Sequence, residues 1–491
     1  MKKFRNVFLV LVLVLIIGMS AVFSGCDLDN SNSGSSDNSG VRSIENIALT
    51  NTQGLVDTYT IYYTDGTTST FTVTNGSNGT NGTNSNVSVQ DLFDEYKNQY
   101  GEITYDEFLQ LYLSYNEDNL VSVINQCLLS SAKVYTEFYQ STQTLTWGGI
   151  VTQKNTAVFS GSAVIWQMDS DYTYFVTNYH VVYSSSANAD NGSYIARKIN
   201  VFLYGSEGGP TQTGTKDANG YDEYSYTDYA IACEYVGGSA VSDIAVLRAP
   251  TSSVVSINSE AKPITCASDY YVGQTAIAIG NTEDEGISTT RGIVSVDDDY
   301  ITLSIDTTRQ YRSIRIDTSI YSGNSGGGLF NSSGELIGIT NAGDSTDENI
   351  NYAIPLPIVK NTVENILYYA NTTDTNRAYK ITLGLTAESK NAKFVYDYSK
   401  GYGKIIEDIC VSEVIADSIA EQIGLSQGDI LKSVVINGET IKLYRHFNLG
   451  DLLLKMRAGD VIKFNYIDAE TSQNTQSLSY TIKNTDLNAI D

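Results

Sequence analysis

Three short stretches of the chain carry side chains able to move protons and attack a carbonyl carbon. Thr177-Asn178-Tyr179-His180-Val181-Val182 sets a histidine just past a β-rich run. Ser242-Asp243-Ile244-Ala245-Val246-Leu247 sets an aspartate at the head of an apolar run, and Ser322-Gly323-Asn324-Ser325-Gly326-Gly327-Gly328-Leu329 sets a serine in a glycine-rich turn. A serine hydroxyl is a weak nucleophile until a base takes its proton. An imidazole titrating near neutrality is suited to that task, and a carboxylate behind it fixes its tautomer. Taken singly, each stretch is ambiguous. His180 fits a satisfied core histidine, Asp243 fits a turn or cap, and Gly-x-Ser-x-Gly arises by chance in a chain with 40 glycines.

The order of the three decides between two hydrolase classes. Gly323-x-Ser325-x-Gly327 also matches the nucleophile elbow of α/β-hydrolases, whose acid and histidine follow the serine and whose serine is backed by a helix. Beyond Ser325 the one histidine is His446, in the last part of the chain. Leu329-Phe330 and Leu336-Ile337-Gly338-Ile339 bracket Asn331-Ser332-Ser333-Gly334, which reads as a hairpin. Histidine, aspartate, serine is the chymotrypsin order.

Gly161-Ser162-Ala163, the segments around His180, Asp243 and Ser325 (from Asp317 onward), and Asn351-Tyr352-Ala353-Ile354-Pro355 together resemble the trypsin-like serine proteases of the HtrA/Deg family. Ser322, Gly328 and Thr282 stand where that family usually has proline, which concerns loop stiffness. The resemblance implies His180, Asp243 and Ser325 as a catalytic triad and the amides of Gly323, Asn324 and Ser325 as the oxyanion hole. It places Ser319 near the floor of the primary specificity pocket, so small or medium apolar residues are expected before the scissile bond. Leu383-Gly384-Leu385, Val411-Ser412-Glu413-Val414, Ser418-Ile419-Ala420 and Gly428-Asp429-Ile430-Leu431 resemble the PDZ domains that follow such proteases. There Leu383, Gly384 and Leu385 are implied to receive a terminal carboxylate, beside a helix near 449–454. His446 precedes that helix, with a groove role or plain exposure both open.

The elements that position these residues are mainly β. From 132 to 370, short β-rich runs alternate with Gly, Ser, Asn and Asp, the texture of barrels or sandwiches. The expected fold is a chymotrypsin-like double β-barrel followed by an α+β PDZ domain over 379–487. Residues 205–227 read as an exposed acidic loop. Upstream, 88–131 shows apolar residues at helical spacing (Leu92, Phe93, Tyr96, Tyr100) and 76–87 is a low-complexity linker. In 44–75 two β-rich runs meet at Asp65-Gly66, a small β-hairpin unit. Residues 26–43 are a flexible tether.

The first 25 residues have a basic start, an apolar run over 7–17 and small residues before Cys26, which reads as a secretory signal. Ser24-Gly25-Cys26 resembles a bacterial lipobox, implying acylation at Cys26 and a lipid anchor on the extracytoplasmic face of the cell membrane. The other four cysteines are widely spaced and leave disulfides or buried thiols open. With 56 acidic and 30 basic residues the formal charge is −26, which repels phosphate backbones and excludes nucleic acid as an expected partner. Two histidines leave little for a histidine-rich metal site, and neither metal nor cofactor is expected.

The reading is a serine endopeptidase acting on misfolded or damaged exported proteins, with C-terminal peptides binding at the PDZ groove. Relatives of that family are often trimers, although nothing in the periodicity shows a homotrimer here. The rivals are a protease-fold chaperone that holds unfolded clients without cutting, and an esterase using the same glycine turn.

Overall fold

The computed structural model describes residues 44–53, 56–63, 66–74, 93–94, 97, 104–105, 120–147, 149–187, 194–206, 208–343, 347, 349–373, 375–398 and 401–490. The expected signal segment, Cys26, the tether, the 76–87 linker and most of the helical segment lie outside these residues. The chain divides into two units, 1–103 and 104–491.

In the first unit, β1 (Ile44–Gln53), β2 (Val56–Tyr63) and β3 (Thr68–Thr74) form an antiparallel sheet in that order. Two strands were expected around the Asp-Gly turn. The third arises because Thr- and Tyr-rich β2, paired to β3 by Tyr59 opposite Phe71, has a second edge that β1 covers.

In the second unit, residues 120–128 are helical and lead into β4 (Ser131–Thr146). β5 (Gly149–Met168), β6 (Tyr172–Thr177) and β7 (Lys198–Leu203) follow, and then a small hairpin, β8 (Thr211–Lys216) with β9 (Asp222–Ser225). β10 (Ile231–Ser239) and β11 (Ile244–Pro250) complete a closed barrel ordered β10-β11-β6-β5-β4-β7. The near-unbroken apolar run Ile244-Ala245-Val246-Leu247 has a physical reason. Successive strand residues point to opposite faces, so Ala245 and Leu247 join the barrel interior with Ile165 and Phe175, while Ile244 and Val246 join a second core with Val164 and Val176. Both faces of these strands are buried.

That second core belongs to the next barrel: β12 (Thr265–Cys266), β13 (Thr275–Asn281), β14 (Ile287–Leu303), β15 (Asp306–Ile316), β16 (Gly328–Phe330), β17 (Glu335–Gly343) and β18 (Asn351–Pro355). Their order is β12-β17-β16-β13-β14-β15-β18, and because β18 also pairs with β17 the sheet returns on itself. The expected hairpin after Ser325 is present as β16–β17, its turn closed by Asn331 Oδ1 accepting from the amides of Ser333 (2.9 Å) and Glu335 (3.0 Å). The mainly β, double-barrel reading therefore agrees with the structure. The helix Leu356–Thr373 then packs on strands of both barrels.

The 205–227 segment departs from expectation. It is the β8–β9 hairpin, and Tyr221 is buried in a stack on Tyr139 of β4 at 3.7 Å between ring centroids. Burying that aromatic against the outer β4–β5 ribbon orders an insertion whose composition is that of a loop.

After the helix, β20 (Leu385–Asp397), β21 (Tyr402–Val414), β22 (Ile430–Ile436), β24 (Val461–Ile467) and β25 (Asn474–Gln476) form a sheet with β20 at its edge; β23 (Glu439–Lys442) pairs with β22, β26 (Tyr480–Thr481) with β24, and β19 (Tyr379–Ile381) with β27 (Leu487–Ala489) near the end of the chain. Alternation in β24 turns Ile462, Phe464 and Tyr466 into a core with Ile409 and Val434. Two helices flank this sheet, Ile419–Gln422, capped by Ser418 Oγ, and His446–Leu453.

Candidate active site

His180 and Asp243 come from the first barrel and Ser325 from the second. β6 ends at Thr177, and His180 follows in the four-residue helix Tyr179–Val182. Asp243 occupies the turn between β10 and β11 with φ 52°, a left-handed conformation that short polar side chains tolerate better than most. Its carbonyl accepts from Asn178 Nδ2 at 2.9 Å and from the Tyr179 amide at 3.2 Å, which stitches the aspartate turn to the histidine segment.

The Asp243 side chain is 0% exposed. Its Oδ2 lies 2.9 Å from His180 Nδ1, and its Oδ1 accepts the His180 backbone N–H at 3.0 Å. A buried carboxylate bonded in this way holds the imidazole with Nδ1 protonated and Nε2 free to accept a proton. Burial pulls the His180 pKa down, but the charge and hydrogen bond of Asp243 outweigh it and hold the imidazole above its usual value.

Ser325 sits in the turn before β16. The backbone here is pinned peptide by peptide. The Ser322 carbonyl accepts from the Glu283 amide (2.7 Å), the Gly323 carbonyl from Ser162 Oγ (2.7 Å), and the Asn324 carbonyl from Thr340 Oγ1 (2.6 Å) and the Gly327 amide (2.9 Å). The Ser325 carbonyl accepts from the Ser162 amide at 2.8 Å. Gly323 has φ +89°, and a Cβ there would lie 2.1 Å from the Asn281 carbonyl oxygen, so only glycine fits. Among the described residues the amides of Gly323 and Ser325 have no protein acceptor, the arrangement expected of donors to a developing oxyanion. Asn324 differs from expectation: its amide donates to the Tyr321 carbonyl at 3.1 Å and is closing the turn.

The Ser325 hydroxyl donates to the Asn341 carbonyl at 3.4 Å, and no His180–Ser325 hydrogen bond is present among the described residues. The segments that bear His180 and Ser325 both pass close to Gly161. A Cβ built there would meet the side chain of Val181, next to His180, at 2.8 Å and the Ser325 carbonyl at 3.2 Å. Asn341 is itself buried, with both polar side-chain atoms unpartnered. It carries no sequence signal, and neither does the Glu283 amide that holds Ser322.

The remaining expected residues make no hydrogen bond to His180, Asp243 or Ser325 among the described residues. The Ser319 carbonyl accepts from Thr290 Oγ1 at 2.8 Å, on the β14 side of the second barrel. The loop at Leu383 and Gly384 is fastened through its carbonyls to the amides of Ala420 (2.9 Å) and Ile415 (2.8 Å), and Leu385 begins β20. His446 is only partly exposed, because Nδ1 lies 2.9 Å from Glu407 Oε2 and Nε2 3.8 Å from Asp298 Oδ2. Neighbouring Arg445 contacts Glu407, Asp297 and Asp298, and buried Arg312 of β15 pairs with Asp451 while lying 4.1 Å over the Phe447 ring. These contacts clasp the second barrel to the last sheet. Cys127, Cys233, Cys266 and Cys410 are free thiols, and burial pushes Cys127 up to about 11 and raises Cys233 and Cys266.

Residues 161–339 match the family described as "Trypsin-like peptidase domain". Among curated proteins, Serine protease Do-like HtrB of Bacillus subtilis is 28% identical over 339 residues, covering 65% of this chain and 63% of its own length. Periplasmic serine endoprotease DegP of Escherichia coli K12 is 30% identical over 301 residues, covering 60% of this chain and 52% of its own. The chain thus spans less than two thirds of the length of either relative. The solved structure "HtrA-type protease AlgW with tripeptide" shares 21% identity, covering 75% of this chain and 97% of that one with a TM-score of 0.44. The chain carries a trypsin-like peptidase domain. Within that class it is similar to the HtrA/Deg-type serine proteases.

Proposed function

We propose that the chain is a serine endopeptidase in which Ser325 Oγ attacks the peptide carbonyl. His180 Nε2 takes the hydroxyl proton and later delivers it to the leaving amine, and Asp243 stabilises the imidazolium between the two transfers. Attack requires Ser325 Oγ to turn from the Asn341 carbonyl toward His180. The oxyanion is received by the Gly323 and Ser325 amides, each such donor being worth about 2.7–4 kcal/mol in the transition state. Water, activated by His180, then releases the acyl-enzyme. The observation carrying this reading is a histidine fixed by a fully buried aspartate, with a serine turn whose Gly323 and Ser325 amides lack acceptors among the described residues.

The specificity reading follows from Ser319, which brings neither charge to the pocket floor and favours small or medium apolar residues before the scissile bond. The last sheet is read as a PDZ domain. β20 is an edge strand that begins at Leu385 directly after Leu383-Gly384, and the helix His446–Leu453 packs beside it, so a C-terminal peptide can add as a further strand. Clients are misfolded exported proteins, and Cys26 acylation holds the enzyme at the outer face of the membrane. Among the described residues no helix is long and apolar enough to cross a membrane.

The test is casein hydrolysis by wild type and Ser325→Ala, with and without an apolar C-terminal peptide. Loss of hydrolysis with unchanged folding is expected for the variant, and undiminished hydrolysis rejects Ser325 as nucleophile. Labelling of Ser325 by a fluorophosphonate separates this reading from a chaperone that keeps the fold without cutting.

A further inference from the structure

We infer that Ser162 is a positioning residue for the oxyanion hole, a role resting on the proposed nucleophile Ser325. Ser162 lies in β5 of the first barrel and is 1% exposed. Its hydroxyl donates to the Gly323 carbonyl and accepts the Asn281 amide, both at 2.7 Å. Its own amide donates to the Ser325 carbonyl at 2.8 Å, and its carbonyl accepts Thr177 Oγ1 at 2.7 Å. One side chain therefore joins the first barrel, the end of β13 in the second, and the turn bearing the nucleophile.

The consequence follows from peptide geometry. In a trans peptide the N–H points opposite to the preceding C=O, so fixing carbonyls aims amides. The Glu283 amide fixes the peptide entering Gly323, and Ser162 Oγ fixes the one leaving it. Gly323, having no Cβ, has little torsional preference of its own and depends on these two anchors. Without the Ser162 hydroxyl, the Gly323 carbonyl and the Asn281 amide lose the partner they share, and Gly323 and Asn281 are both buried. Unpaired buried groups are costly, and a rotation about the Gly323 torsions relieves one of them by carrying the carbonyl to a new partner. With the leaving peptide freed, the entering peptide is held by the single Glu283 bond, and the Gly323 amide it carries can tilt out of line with the Ser325 amide. The loss falls on the transition state alone, because only there is a charged oxygen present.

The experiment measures Ser162→Ala and Ser162→Cys against an apolar tetrapeptide amide, together with binding of a peptide boronate, which forms a tetrahedral adduct on Ser325, and of the cleaved peptide product. For Ser162→Ala, kcat falls at least tenfold with KM within twofold. Boronate affinity falls in proportion, and product affinity is unchanged. Ser162→Cys keeps the size with a weaker donor and falls between. A loss of kcat and boronate affinity below threefold in the folded variants overturns the inference, as does a loss carried by KM. If Ser162→Ala does not fold by its thermal melt, Ser162→Cys decides by the same threefold limit. Undiminished turnover in Ser325→Ala sinks the proposed function itself, whereas a Ser162→Ala with wild-type kcat beside a strongly impaired Ser325→Ala sinks only the role given to Ser162.

Discussion

Replacing Asp243 with asparagine changes one atom and sets two hydrogen-bond demands against each other. In the native arrangement Oδ1 accepts the His180 backbone N–H at 3.0 Å and Oδ2 accepts from Nδ1 at 2.9 Å. An amide has a single acceptor oxygen. If that oxygen keeps the backbone N–H, the amide nitrogen faces Nδ1 and donates to it. The ring proton must then sit on Nε2, where the Ser325 proton should arrive. If the amide turns over, its nitrogen meets the His180 backbone N–H, donor against donor, in a site with no exposure. The first arrangement is the cheaper and the catalytically dead one. We expect Asp243→Asn to lower kcat by about 10⁴-fold, about 5 kcal/mol in the barrier, with KM little changed. The charge is lost as well. In the wild type Asp243 overcomes burial and holds His180 above its usual pKa; in the variant burial acts alone and the value drops below it. In the proposed mechanism catalysis needs neutral His180, so the acid limb of the wild-type kcat/KM profile is expected above the usual imidazole range and the variant's residual limb at lower pH. The chain has two histidines, so two imidazole resonances report both titrations by proton NMR, with a His446 substitution as the assignment. Retention of kcat within tenfold, or an unmoved His180 titration, refutes this reasoning.

Two further perturbations probe the frame of the site. Gly323→Ala drives a Cβ onto the Asn281 carbonyl at a φ of +89°, and kcat should fall about 10²-fold or more with a lower melting temperature, read by peptide-amide turnover and a thermal melt. Asp451→Ala leaves Arg312, 8% exposed and with Nε already unpartnered, without its carboxylate. Such a loss costs about 3–5 kcal/mol, measurable by denaturant unfolding, and an unchanged midpoint would show that Arg312 finds other partners.

Much of the frame is legible in the amino-acid order because strand periodicity and turn chemistry act over a few residues. The β16–β17 hairpin follows from Asn331-Ser332-Ser333-Gly334, and the mainly β texture from short apolar runs between turn residues. What is not legible depends on partners far along the chain. Ser162 reaches Gly323 across 161 positions and His180 reaches Asp243 across 63, distances over which no local pattern operates. The left-handed turn at Asp243 has no glycine to announce it. Tyr221 orders the 205–227 hairpin through a stack with Tyr139, so composition alone reads the segment as loop. The sequence puts His446 just before the last helix, whereas the structure makes it the first residue of that helix, bonded to Glu407 of β21 across 39 positions.

The clasp formed by Arg312 with Asp451 and by Arg445 with Asp297 bears on how such a molecule is dissected. A fragment ending before Tyr379 strips Asp451 and Phe447 from Arg312 and opens to water a normally covered face of the barrel that also supplies the serine turn. Its altered activity would then register a wound at the cut face rather than the missing peptide groove. Point changes in the groove, with the ionic seam intact, are the cleaner instrument for asking what the appendage contributes.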